Sequence, residues 1–181
     1  VLQLDSSISE AVGNIGLIYY RQGRFAEAYP FLNQARTLAP DNLSYRSKFS
    51  ALMQQVGMLQ EAWEEASFVL ERDPTNKTAL FAFQKTALRL QRLDDARTLI
   101  GGLNTTNPSA PALLALGLID AIESKFDLAE FRFKESVKLD PELGEAYAAL
   151  GALYVARNEI DKADSYFKTS FDLSKGEPAE Q

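Results

Sequence analysis

Tyr147-Ala148-Ala149-Leu150-Gly151-Ala152-Leu153-Tyr154, followed by Ala163 and Phe167, is the stretch that decides the fold. Its apolar residues fall three and four apart, at Ala146, Tyr147, Leu150 and Tyr154 and again at Ile160, Ala163, Phe167 and Phe171. That spacing is the period of a helix with one buried face. Between the two blocks lies the polar triplet Arg157-Asn158-Glu159. Asn is one of the few residues that takes positive φ and ends a helix there. The stretch therefore reads as two helices joined by a tight turn, brought close by the small residues Gly151 and Ala163.

The same arrangement recurs along the chain. Prolines stand at Pro40, Pro74, Pro108 and Pro141, spaced 34, 34 and 33 residues. An alanine precedes each by twelve residues, at Ala28, Ala62, Ala96 and Ala129, and Ala163 lies one period further on. Glycine precedes three of these alanines by twelve residues, at Gly16, Gly117 and Gly151. Tyr19 and Tyr154 follow Gly16 and Gly151 by three. The turns Gln22-Gly23-Arg24 and Val56-Gly57-Met58 repeat the break between helices, and the closing proline cannot continue the second helix. No strand-like alternation competes with this period.

The pattern resembles the tetratricopeptide repeat (TPR), W-x2-L-G-x2-Y…A-x3-F…P. The register gives five repeats, at 9–42, 43–76, 77–109, 110–143 and 144–177. Residues 1–8 read as the tail of a preceding repeat, and 178–181 as a polar, Pro-containing linker or tail. The resemblance implies an all-α, right-handed α-solenoid of ten helices, with the five alanines buried where helices meet. Phe167 is expected in the core of the last repeat. Repeat 2 departs from the pattern with Ser50 and Ala66, and repeat 3 with Gln84 and Ala87. Repeat 3 also carries Gly101-Gly102 within its second helix, and each glycine costs about 1 kcal/mol there relative to Ala. That helix is expected to end early or bend into a loose Asn104–Asn107 loop.

Composition restricts the chemistry. The chain of 181 residues has no Cys and no His. Disulfides, thiolate nucleophiles, Cys- or His-based metal sites and His-dependent triads are thereby excluded. No Gly-rich phosphate loop is present, no catalytic constellation is found, and no cofactor is expected. The acidic residues Asp120, Glu123, Asp127 and Glu130 read as a solvated turn. Asn42, Asn76 and Asn104 open glycosylation sequons, but the first two suit turn geometry on their own. A net charge of −6 argues against nucleic acid or anionic membrane as partner, and no segment is apolar enough to insert into a bilayer. The compartment is left open by these features.

What the resemblance implies about function is a concave face, lined by the first helix of each repeat, that takes a peptide or helix from a partner protein. Carried over residue by residue, the family's inner positions include Gly13, Leu17, Tyr20, Lys48, Phe81, Lys85, Leu88, Arg89, Leu114, Leu118 and Ile122. Leu114, Leu118 and Ile122 form one apolar stripe at four-residue steps, with Leu113, Leu116 and Ile119 expected in the core. Lys48, Lys85 and Arg89 would meet acidic groups. The carboxylate clamp of the chaperone-tail binders is not matched, because Gly13, Leu17, Lys48, Thr78 and Ala82 occupy its places. Two alternatives stay open beside a partner-binding scaffold: self-association, and service as the regulatory arm of a larger enzyme.

Overall fold

The computed structural model describes residues 2–106 and 108–176. The linker expected at 178–181 lies outside the described residues. Ten helices follow one another: α1 (Leu2–Arg21), α2 (Phe25–Leu38), α3 (Leu43–Val56), α4 (Leu59–Leu70), α5 (Lys77–Leu90), α6 (Leu93–Thr106), α7 (Ala110–Ile122), α8 (Phe126–Leu139), α9 (Gly144–Ala156) and α10 (Ile160–Gly176). No strand occurs among the described residues.

The turns within the hairpins share one geometry. Each of the five tight turns places one residue in the left-handed region: Gly23, Gly57, Gln91, Ser124 and Asn158, with φ of 71°, 87°, 58°, 62° and 60°. The next residue's N–H then reaches back to a carbonyl five residues earlier, Arg24 to Tyr19, Met58 to Met53, Arg92 to Ala87, Lys125 to Asp120 and Glu159 to Tyr154, at 2.8–2.9 Å. This is one helix-ending motif made five times, and only two of its five members are glycine. Gln91 and Ser124 adopt the conformation against their intrinsic preference, so the closing hydrogen bond and the packing of the hairpin set the turn. Between hairpins, the side chains of Asn42, Asn76 and Ser109 accept N–H bonds from the first turns of α3, α5 and α7. Capping, as well as turn geometry, accounts for those residues.

The chain forms two compact units, residues 1–96 and 97–181. In the first, α1 packs on α2 and α3 on α4, while α2 meets α3, α4 meets α5, and α3 lies against α5. In the second, α7 packs on α8, α9 on α10, and α8 on α9. Ala28, Ala62, Ala96 and Ala129 are wholly buried and Ala163 is 2% exposed, as expected of residues at helix crossings. Glycine permits closer approach still. A Cβ on Gly16 would stand 2.9 Å from Leu32 Cγ, on Gly117 2.5 Å from Phe133 Cε1, and on Gly151 2.8 Å from the Phe167 ring.

Four expectations are corrected. First, α6 runs unbroken from Leu93 to Thr106, through Gly101 and Gly102. Neither glycine has a neighbouring atom within 4 Å of where a Cβ would be, so they are not there to admit a close contact. Second, α1 runs without a break from Leu2 to Arg21, so no turn sets residues 2–8 apart from the first hairpin. Third, Phe167 is 41% exposed: its ring lies on Gly151, but no helix follows α10 among the described residues to cover it. Fourth, the acidic group at the repeat 4 turn is not simply solvated. Asp120 is fully buried, held by Arg97 and by Arg132 at 2.8 Å, and Arg97 also binds Glu123 at 2.5 Å. A buried carboxylate must be paired, and two guanidinium groups supply that.

Candidate interaction faces

In the first unit the candidate face is built by α1, α3 and α5, each the first helix of its hairpin. Hairpin packing consumes the opposite sides of these helices, where Phe49, Leu52, Leu80 and Phe83 are all fully buried. Lys48 on α3 and Phe81, Lys85, Leu88 and Arg89 on α5 lie off those sides, while Leu17 and Tyr20 on α1 are partly accessible and also pack against the core of the first two hairpins. Leu17, Tyr20, Lys48 and Phe81 are half-buried, and Lys85, Leu88 and Arg89 are exposed. Two hydrogen bonds join α3 to α5, and a cation–ring contact joins α3 to α1. Lys48 Nζ donates to Thr78 Oγ1 at 3.5 Å while lying 5.9 Å from the centre of the Tyr20 ring, and Arg89 donates to the carbonyl of Gln54 at 2.9 Å. Burial raises the Tyr20 phenol above its ordinary pKa.

Gly13 is not open lining. A Cβ there would lie 2.3 Å from the Tyr45 ring, which covers the place the family pattern gives to the face. Because Tyr45 comes from the next hairpin, 32 residues on, nothing local in the sequence announces it. The Thr78 and Gln54 contacts were hidden for the same reason.

In the second unit, Leu118 is half-buried and Ile122 is 40% exposed, but Leu114 is only 1% exposed. The expected three-residue stripe on α7 therefore reduces to Leu118 and Ile122. Leu116 and Ile119 are buried as expected, whereas Leu113 is only half-buried, so Leu114 takes a core place that the sequence reading gave to Leu113. The neighbouring α9 leaves Ala152 and Val155 exposed. Among the described residues no cluster of three or more His, Cys, Asp or Glu could hold a metal, and no helix is long and apolar enough to cross a membrane.

Tandem antiparallel hairpins closed by one recurring turn define a helical-repeat protein. Residues 9–42 and 144–176 match family models described as tetratricopeptide repeat, and the chain carries repeats of that family at these two places. A curated relative, the TPR repeat-containing thioredoxin TTL4 of Arabidopsis thaliana, is 34% identical over 93 residues, which is 51% of this chain; the match spans 14% of that protein's length. Among solved structures, TTC0263, a thermophilic TPR protein of Thermus thermophilus, is similar with a TM-score of 0.78 at 19% identity, over 93% of both chains. MamA from Desulfovibrio magneticus RS-1 is similar with a TM-score of 0.58 at 19% identity, over 94% of this chain and 97% of that one. At such identities the likeness is one of fold. Proteins of this fold generally act as protein–protein interaction modules.

Proposed function

We propose that this chain is a non-catalytic scaffold whose first-helix faces hold a peptide or helix of a partner protein. The observation that carries the reading is apolar surface on those faces that hairpin packing does not use. On α7, Leu116 and Ile119 fill the core while Leu118 and Ile122 stay accessible; on α5, Leu88 is 43% exposed between Lys85 and Arg89. Apolar side chains grouped on one face with no folding role mark a contact surface. Panning a displayed library of random peptides against the protein supplies the probe. Leu118→Glu is then expected to leave the melting temperature nearly unchanged and to weaken a peptide bound at this face by about 2 kcal/mol or more, the scale of a central anchor. A variant that unfolds would make Leu118 a core residue. Selected peptides that all bind it unchanged, and also bind unchanged when the α5 face is altered, would put binding elsewhere.

Self-association is the second reading, and α8 favours it. Leu128 and Phe131 are 40% and 61% exposed. At the same two places the other hairpins carry Glu27, Glu61, Asp95 and Lys162, and Pro30, Glu64, Thr98 and Ser165. The repeat therefore does not need apolar residues there. Sedimentation velocity of the protein and of Phe131→Ser separates the two readings. Service as the regulatory arm of a larger enzyme is the reading that the thioredoxin-named relative raises; this segment has no Cys, so any dithiol chemistry would lie outside it.

A further inference from the structure

We infer that the α1/α3/α5 face of the first unit takes an acidic segment of a partner protein; this rests on the scaffold reading above and names the chemistry of its ligand. Charge is sorted between the two rows of helices in this unit. Helices α3 and α5 contain no Asp or Glu, yet carry Arg46, Lys48, Lys77, Lys85 and Arg89. In α1 no acid follows Glu10, and the helix closes on Arg21. Beyond Glu10, the helical acids of the unit lie on the second helices, as Glu27 on α2, Glu61, Glu64 and Glu65 on α4, and Asp94 and Asp95 at the start of α6.

Ion pairing follows the same division. Arg36 binds Glu61 and Glu65 at 3.2 and 2.6 Å, Arg46 binds Glu65 at 2.7 Å, and Arg24 and Arg92 pair with Glu27 and Asp95 at 2.9 and 2.7 Å. Among the described residues, Lys48, Lys85 and Arg89 have no such neutralisation. Lys48 meets a hydroxyl and the face of a phenol ring, and Arg89 meets a backbone carbonyl. Lys85 projects into solvent one helical turn from Arg89. In a chain with 25 acidic and 19 basic residues, three cations left without a carboxylate on one face are a concentrated positive field on an otherwise negative protein. Tyr20 and Leu88 lie on that same face, so the fitting ligand alternates Asp or Glu with apolar side chains. A basic or neutral ligand would gain nothing from these cations, and an extended polyanion such as RNA would meet the acidic second helices beyond them.

The test uses the peptides selected from the random library. They are expected to be enriched in Asp and Glu. Measured by fluorescence anisotropy, their affinity for the protein is expected to fall as salt rises, and to be at least about tenfold weaker for K85E/R89E and weakened in the same direction by K85E alone, an exposed position with no bond to lose among the described residues, which circular dichroism should show to be silent for folding. Selected peptides that are neutral or basic, affinity indifferent to salt, or unchanged binding by K85E/R89E would each overturn the assignment. So would an oligonucleotide of matched charge that binds as tightly. Neutral peptides lost on Leu118→Glu would remove the acidic assignment alone and leave the scaffold reading standing. A library that yields no binder removes both.

Discussion

Phe133 and Phe167 stand at the same place in successive hairpins, each sixteen residues after a glycine on which its ring rests. Phe133 is 1% exposed and Phe167 is 41% exposed. Leu32, Ala66 and Ile100 complete the column and are all fully buried. Four of the five pairs in this column show volume exchange across the hairpin; the fifth sets the buried Gln84 opposite Ile100, large against large. Where Gly16, Gly117 and Gly151 leave room, the partner is Leu or Phe; where Ser50 replaces the glycine, the partner is Ala66, and the Ser50 hydroxyl bonds the Ala62 carbonyl at 2.9 Å. Keeping total volume constant is how a core tolerates such swaps. Phe133→Ala is therefore expected to cost about 3–5 kcal/mol in urea denaturation, the usual loss for a buried ring. Phe167→Ala should cost less, about 1–2 kcal/mol, because nearly half its surface already faces water. Equal losses would mean that Phe167 is covered in solution.

At the scale of elements, α8 and α9 are joined by charge as well as by packing. Glu130 on α8 accepts from Lys134 Nζ at 2.6 Å, from Tyr154 Oη on α9 at 2.6 Å, and from Arg157 at the end of α9. The Lys134 bond, the Tyr154 bond and the Arg157 bond lower its pKa from 4.5 to about 2, against the opposing effect of burial. A carboxyl whose folded pKa is depressed stabilises the fold at all pH above its unfolded value, and that stabilisation is lost as pH falls through the folded value. The window here runs from about pH 4.5 down to about pH 2. Glu130→Gln is expected to lose on the order of 2 kcal/mol at pH 7 and to flatten the acid limb of the stability curve in that window. A variant whose acid limb matches the parent would show that the contact is screened by water. The hairpin register was legible in the sequence because it is local: the turn residues, the alanines and the prolines all act within a few residues of themselves. The Asp120 network was not, since Arg97 and Arg132 approach it from helices on either side. Nor was the unbroken α6, where propensity argued for a stop at Gly101 and the surrounding helix overrode a cost of about 1 kcal/mol per glycine. At the candidate faces the positions could be read from the repeat, but exposure could not. Leu114 and Gly13 are covered by what the fold brings over them, and α7, apolar on most of its surface, gives no sequence signal of which leucine is covered.

At the scale of the whole chain, a helical-repeat array is stabilised by each hairpin and by its contacts with its neighbours, so resistance to local opening should vary along it. Helices α4 and α5 lie at the well-packed end of this range. Ala62, Ala66, Val69, Leu70, Ala79, Leu80, Phe83 and Ala87 are all fully buried, and Trp63 and Phe83 lie 4.0 Å apart between ring centres. Helix α10 is at the other end, with Phe167 and Phe171 41% and 58% exposed. The last turns of α6 are helical, but no atom lies within 4 Å of where a Cβ on Gly101 or Gly102 would stand. Amide hydrogen exchange is therefore expected to be slowest in Leu80–Ala87, faster in Ala163–Thr169, and faster in 101–106 than in Leu113–Ile119, although all four segments are helical. The contrast between the last two segments is the sharper test. Equal exchange there would mean that α6 opens only with its neighbours, so that helix cooperativity outweighs the helix cost of two glycines. Faster exchange in 101–106 would mean that tertiary packing, more than helical hydrogen bonding, sets how long each segment of this chain stays closed.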